Sequence, residues 1–344
     1  MVENLVAVYF KNGLGNFIMY TPAIQALAEL YDAKIDIVLD DSWQDTRREG
    51  VIEFCTQWPL VNEIISFQKG FDQKKYKLLF YSRHGENSEA FNYFRDHSTM
   101  KPKHINWRAA KLHEIEFYMD EVRDLGYKGK TPDQYIAPGG GAGYWKQTVN
   151  SYPSALNIGI SNGFFGGSTW QWERKGWPYF KELIELLFAY YDTRFQVFLF
   201  GKGAREKEWA RTLGERKNLY TLIDNLTLGG TISVIKYMDL FITTDTGLMH
   251  IADALQIPSI ALFGPTLISK NGPRNKEVKI LRSPLPCAPC QGSPHFTLCK
   301  EWRCMNELKP EIVMAEVRSY LMDLAKEGKM MTKKIDGVIY PALR

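Results

Sequence analysis

Along the chain, short unbroken apolar runs alternate with stretches whose apolar residues recur three and four apart. This is the pattern of buried parallel strands followed by amphipathic helices. Leu5–Phe10 is the first run. The helix after it starts either at Asn16 or at Thr21 with Pro22 in first position, and buries Ile24, Leu27 and Ala28. Further strands are predicted over 35–39, 77–81, 157–161, 195–200, 240–244, 259–263 and 278–281. Helical spacing is read over 113–126, from Pro178 to Tyr191, at Leu248, Ile251, Ala252 and Leu255, and from Ile312 to Leu324. Such alternation builds parallel α/β sheets, which take ligands at the carboxyl ends of their strands.

Pro138-Gly-Gly-Gly-Ala-Gly143 has the least backbone restraint in the chain, so the domain linker is placed there or shortly after. The expected division is 1–150, 151–330 and a peripheral tail, 331–344. A chain of 344 residues, 45% hydrophobic, is large enough for two cores. A net charge of +4 suits anionic partners and falls short of a nucleic-acid footprint. No uninterrupted apolar run reaches the ~18 residues of a membrane span, and the first strand begins too early for a signal-peptide layout. The expectation is a cytoplasmic protein, with membrane contact no more than peripheral. Four of the five cysteines lie close together, which argues against a secreted disulfide scaffold.

The densest chemistry lies in Asp245-Thr-Gly-Leu-Met-His250, between two predicted buried strands. Backbone N–H groups of Thr246, Gly247 and Leu248 would point out of a helix start and could hold a pyrophosphate. Asp245 would repel phosphate, so its ligand role would be to accept sugar hydroxyls; equally, it could simply cap the helix. His250 could reach a phosphate or a hydroxyl, or fill a core position.

Asp245-Thr-Gly-Leu-Met-His250-Ile-Ala followed by Phe263-Gly-Pro-Thr266 resembles the signature of glycosyltransferase family 9, typified by the ADP-heptose:lipopolysaccharide heptosyltransferases. Gly13-Leu-Gly15-Asn16, running on to Thr21-Pro22 and Leu27, is similar to the family's N-terminal motif. There the residue after the second glycine is an Asp, proposed as catalytic base. Here it is Asn16, and an amide can position a group but cannot take its proton. Asp40 and Asp41 after the second strand, and His84 and Glu86 after the 77–81 strand, are the substitutes considered. The cluster Lys101, Lys103 and Arg108, with Trp107, would suit an anionic saccharide acceptor or form a solvated face.

The resemblance continues in Ser161-Asn162-Gly163 and in Trp172-Glu-Arg174-Lys175-Gly-Trp177-Pro178, similar to the family's donor-binding segment. It implies that Ser161 and Asn162 contact phosphate and that Lys175 neutralises the leaving diphosphate, with Arg174 beside it. Glu206 corresponds to a Glu near the nucleoside ribose, and is equally well placed as a helix-start acid. Cys287-Ala-Pro-Cys290, then eight residues to Cys299 and four to Cys304, could give tetrahedral zinc or iron four sulfur ligands, or could pack a loop as reduced thiols.

The resemblance implies two Rossmann-like α/β domains facing across a cleft, the GT-B arrangement. It implies an inverting, metal-independent transfer of heptose from ADP-heptose to a lipopolysaccharide core, with no cofactor in catalysis. A UDP- or GDP-sugar transferase is the first alternative. A nucleotide-sugar-binding pseudoenzyme, suggested by Asn16, is the second. A nicotinamide dehydrogenase lacks its third glycine.

Overall fold

The computed structural model describes residues 4–40, 46–67, 71–82, 88–98, 112–137, 143–150, 155–163, 173–191, 194–326, 331–335 and 338–342. The chain divides into two compact units: Met1–Pro138 with Ser269–Asn271, and Gly139–Ile268 with Gly272–Arg344.

The first unit contains β1 (Leu5–Phe10), α1 (Leu14–Tyr31), β2 (Lys34–Leu39), α2 (Thr46–Thr56), β3 (Val61–Ser66), β4 (Leu78–Tyr81), α3 (Glu89–His97) and α4 (Glu114–Asp124). Its strands are parallel in the order β3-β2-β1-β4, so the winding reverses between β1 and β4. β1 and β2 are buried at every position but the first, which is why they read as continuous apolar runs.

α1 starts earlier than either expected start and takes Pro22 into its interior. A proline there removes the hydrogen bond to the carbonyl four residues back. That carbonyl, Ile18 O, instead accepts from the Thr21 hydroxyl at 2.8 Å. Thr21 Oγ1 in turn accepts the Tyr135 N–H at 2.9 Å. The interior proline is thus tolerated because its neighbour replaces the missing donor.

The second unit contains α5 (Gly143–Asn150), β5 (Leu156–Ser161), α6 (Phe180–Tyr191), β6 (Phe195–Phe200), α7 (Ala204–Arg211), β7 (Leu219–Thr221), α8 (Leu228–Ile235), β8 (Leu240–Thr244), α9 (Gly247–Ala254) and β9 (Ser259–Phe263). There follow α10 (Ile268–Asn271), largely grouped with the first unit, then β10 (Val278–Arg282), α11 (Pro294–Leu298), α12 (Arg303–Asn306), α13 (Pro310–Lys326), β11 (Met331–Ile335) and β12 (Val338–Ala342). Six parallel strands run in the order β10-β9-β8-β5-β6-β7. The chain winds outward from β5 on one side and from β8 on the other.

Ile158, Ile160, Leu183, Leu187, Val197, Leu199, Val313 and Val317 form the centre of this unit's core. Trp177 is fully buried in it and donates its indole N–H to Leu308 O at 2.6 Å. That anchors the turn before α6, which begins at Phe180 rather than at Pro178.

Two boundaries differ from the expected ones. α5 groups with the second unit, so the division falls after Pro138 instead of residue 150. The stretch expected as a peripheral tail contains an antiparallel hairpin, β11–β12, lying against α13. Among the described residues no helix is long and apolar enough to cross a membrane.

Candidate active site

A sheet wound both ways from a central pair opens a crevice where the loops leaving that pair part. In the second unit the pair is β5 and β8. β5 leads into Ser161, Asn162 and Gly163; β8 leads through Thr244 into Asp245 and Thr246. Gly163 has φ +67°, and a Cβ there would stand 2.3 Å from Thr244 Oγ1 and 2.6 Å from Thr246 Cγ2. Only glycine lets the two strand ends come this close.

Thr246 caps α9, its hydroxyl accepting the Met249 N–H at 3.4 Å. The capping role left open for Asp245 is therefore filled by its neighbour. Asp245 is buried, with Lys175 Nζ 3.4 Å from Oδ2 and His250 Nε2 3.9 Å from Oδ1. Lys175 comes from the turn anchored by Trp177, and His250 from the first turns of α9. Gly247 and Leu248 open α9, where N–H groups have no intrahelical acceptor and the helix dipole is positive. The fold thus brings Lys175, Asp245, Thr246, Gly247, Leu248 and His250 together, beside Ser161 and Asn162.

Among the described residues, Asn162 and Thr266 are two of the buried polar side chains of this unit that carry atoms without a hydrogen-bond partner. Asn162 is 1% exposed, and neither its Nδ2 nor its Oδ1 is satisfied. Thr266, just past β9, is 2% exposed with an unsatisfied hydroxyl. Each such group costs roughly 1–3 kcal/mol, a cost that a polar ligand would relieve. Sequence reasoning gave Thr266 no role. Its position directly after the Gly264-Pro265 strand stop was the available signal.

Glu206 starts α7, and its Oε2 accepts the Lys202 N–H at 2.7 Å. Gly201 leaves room for that carboxylate, which a Cβ would strike. Burial pushes the Glu206 carboxyl up to about 8, outweighing the Lys202 hydrogen bond that favours ionisation. Protonated near neutrality, it can donate a hydrogen bond as well as accept one.

Arg174 is turned away from Lys175. Its guanidinium donates to Phe296 O and, at 3.3 Å, to Cys299 O, and lies 4.5 Å from the Phe296 ring centre. It therefore holds the cysteine-bearing loop. Cys304 is buried with Met305 under Gly264, where a Cβ would meet Met305 Sδ at 2.5 Å and Cys304 Sγ at 3.0 Å. Burial pushes the Cys304 thiol up to about 11. At Cys299 burial acts in the same direction, but the Trp302 and Glu301 N–H groups and Arg174 outweigh it and the thiol lies below its usual value. Cys287 is exposed and Cys290 partly so; the Cys290 N–H donates to Pro265 O at 3.0 Å. The four thiols are near enough for Cys304 to sense the other three charges. Even so, among the described residues no three His, Cys, Asp or Glu side chains are placed to hold a metal ion. Among the described residues the structure thus gives no support to the zinc or iron that the cysteine spacing would allow, and Arg174 ties to this loop through Phe296 O and Cys299 O.

In the first unit, Gly15 and Asn16 lie in the first turn of α1. Asn16 Nδ2 donates to Glu114 Oε2 at 2.6 Å. Glu114 is 3% exposed, and its Oε1 lies 3.3 Å from Lys270 Nζ, on the short segment that groups with this unit. Sequence reasoning passed over Glu114 as one residue of an amphipathic helix. The signal was its register: Glu114, Phe117, Tyr118 and Glu121 share the stripe that α4 buries. Asp40 is buried, accepting from Tyr9 Oη at 3.1 Å with Lys11 Nζ 4.0 Å away. Asp41, His84, Glu86, Lys101, Lys103 and Arg108 lie outside the described residues.

Residues 161–300 match the family model for glycosyltransferase family 9 (heptosyltransferase). Lipooligosaccharide heptosyltransferase 2 of Campylobacter jejuni serotype O:6 is 30% identical over 167 residues, covering 47% of this chain and 50% of that protein. The chain thus spans about half the length of the curated relatives it matches. Two solved structures share its fold. Escherichia coli ADP-heptose lps heptosyltransferase II has a TM-score of 0.64 at 19% identity, with 92% of this chain and 98% of that one covered. E. coli heptosyltransferase WaaC with ADP has a TM-score of 0.61 at 17% identity, with 92% and 99% covered. With parallel α/β sheets in both units, this is the GT-B fold of those structures, and residues 161–300 are similar to glycosyltransferase family 9.

Proposed function

We propose that the chain is a glycosyltransferase that moves a sugar, with heptose from ADP-heptose favoured, onto an anionic saccharide of lipopolysaccharide type at the inner face of a membrane. The observation that carries this reading is the meeting of Lys175, Asp245 and the start of α9 where the second unit's winding reverses. A diphosphate there would face the α9 N–H groups and Lys175. The negative charge that grows on it as the glycosidic bond breaks is then stabilised without a divalent cation. Asp245 would accept sugar hydroxyls, and Glu206 would face the ribose. Attack from the side opposite the diphosphate inverts the anomeric carbon.

A UDP- or GDP-sugar donor remains the alternative within this class, since no residue identified here reads the base. Asn16 favours a second reading, a binding module without turnover. Product analysis with ADP-, UDP- and GDP-sugars and a heptose-deficient lipopolysaccharide core tests all three. Transfer from ADP-heptose supports the proposal. Transfer from another donor keeps the transferase and discards heptose. Binding without transfer from any donor favours the second reading.

A further inference from the structure

We infer that the first unit binds a neutral saccharide in a groove at the amino ends of its strands, away from the carboxyl edge where parallel sheets take ligands. The inference goes beyond the transferase reading and does not depend on it. The groove has a volume of about 830 Å³, within the roughly 300–1,000 Å³ of ligand sites. Asn4 lies just before β1, Lys34 opens β2 and Leu60 lies just before β3, which puts the groove at the sheet's amino end. Gln25, Glu29 and Asp32, from the end of α1, add polar lining; Trp58 and Tyr135 add aromatic lining.

The polar groups suit a ligand rich in hydroxyls. Asn4 Nδ2 donates to Asp32 O at 3.2 Å, and Gln25 Nε2 donates to Asp133 O at 2.8 Å. Both amides direct their N–H groups to the chain, and among the described residues nothing donates to their carbonyl oxygens. Glu29 Oε2 accepts the Tyr127 hydroxyl at 3.0 Å, which leaves Oε1 open. The Asp32 carboxylate has no partner among the described residues. Asp32 stands at φ +44°, where glycine is the usual residue after a helix. Lys34 Nζ donates to Pro59 O at 2.7 Å. The Trp58 indole, on a residue 4% exposed, donates to no acceptor among the described residues. Open acceptors beside an open donor fit hydroxyl groups, which both donate and accept. An ammonium ion would leave the indole N–H unpaired, and Glu29 and Asp32 would repel a phosphate.

The aromatic pair suits the C–H face of a sugar ring. Trp58 and Tyr135 stack at 4.6 Å and 9°. Tyr135 is held twice, its N–H donating to Thr21 Oγ1 at 2.9 Å and its hydroxyl to Gln57 O at 3.2 Å. A ring already held in place loses little freedom when a ligand packs on it.

The test is calorimetric titration and saturation-transfer NMR of the full chain with methyl glucoside, methyl galactoside, methyl mannoside and maltotriose, with spermidine as a cationic control. Asp32→Gly removes a carboxylate and suits the local backbone; Trp58→Phe keeps a ring and removes the N–H. Wild type is expected to bind at least one of these sugars with a Kd of about 1–10 mM. Asp32→Gly should weaken that binding by about fivefold or more, and Trp58→Phe by about threefold. Asp32→Gly should also unfold within about 3 °C of wild type, so that its loss of binding is local. No sugar bound by wild type up to about 50 mM overturns the inference. Sugar binding that Asp32→Gly leaves unchanged overturns it too, as does spermidine bound more tightly than every sugar. Sugar binding that depends on Asp32 in a chain that transfers from no donor supports the inference and refutes only the transferase reading.

Discussion

The two units place their chemistry on the same kind of edge but encode it differently. In the second unit nearly every site residue sits in a short stretch at or just past a strand end: Ser161-Asn162-Gly163 at the end of β5, Asp245 to His250 after β8 and Thr266 after β9. In the first unit the central contact joins Asn16 to Glu114, 98 positions apart. One site is written in motifs; the other exists only after folding. Substitutions should separate them accordingly.

The largest effect is expected at Lys175. Lys175→Ala should lower turnover by about 100- to 1,000-fold, since under the proposed function it removes the cation that would face the leaving diphosphate. Steady-state kinetics with ADP-heptose checks this, and a loss under about fivefold would leave the second unit without its main electrostatic element.

A second test concerns stability. Glu206 has a folded value of about 8 against an ordinary 4.5. Below the lower value both folded and unfolded chains hold the proton. Between the two only the folded chain does, so stability falls as pH rises through that window, at up to about 1.4 kcal/mol per unit. Glu206→Gln should remove this slope and be more stable than wild type towards pH 8. Chemical denaturation at pH 5 and pH 8 reads both.

Thr266→Val should act in opposite directions on the two states. Removing an unpartnered buried hydroxyl should stabilise the unliganded protein by up to about 1 kcal/mol, yet weaken donor binding several-fold. If binding is unchanged, Thr266 does not face the donor. The smallest effect is expected at Arg174. Arg174→Lys loosens the loop it holds through Phe296 O and Cys299 O. Labelling of Cys299 by maleimide should change a few-fold, with turnover close to wild type.

What sequence alone revealed follows the same division. Strand runs such as 195–200 and 240–244 match their elements end to end, because both strands are buried at every position and are therefore dominated by apolar and β-branched residues. β3 was missed because its exposed Asn62 and Glu63 break the apolar run. The start of α1 was misplaced because Thr21 rescues an interior proline, a tertiary compensation that spacing does not carry. The cysteine spacing suggested a metal, whereas the packing of Cys304 under Gly264 and the hold of Arg174 are long-range facts. Lys175 and Asp245 were each legible, but their pairing across 70 positions was not.

The most direct test is calorimetric titration of ADP, with UDP and GDP as controls, into wild type, Lys175→Ala and Glu114→Gln. The account predicts that wild type binds ADP preferentially, that Lys175→Ala weakens binding by about tenfold or more, and that Glu114→Gln binds as wild type does. Absence of ADP binding, or equal binding in wild type and Lys175→Ala, would contradict a donor site built where β5 and β8 part.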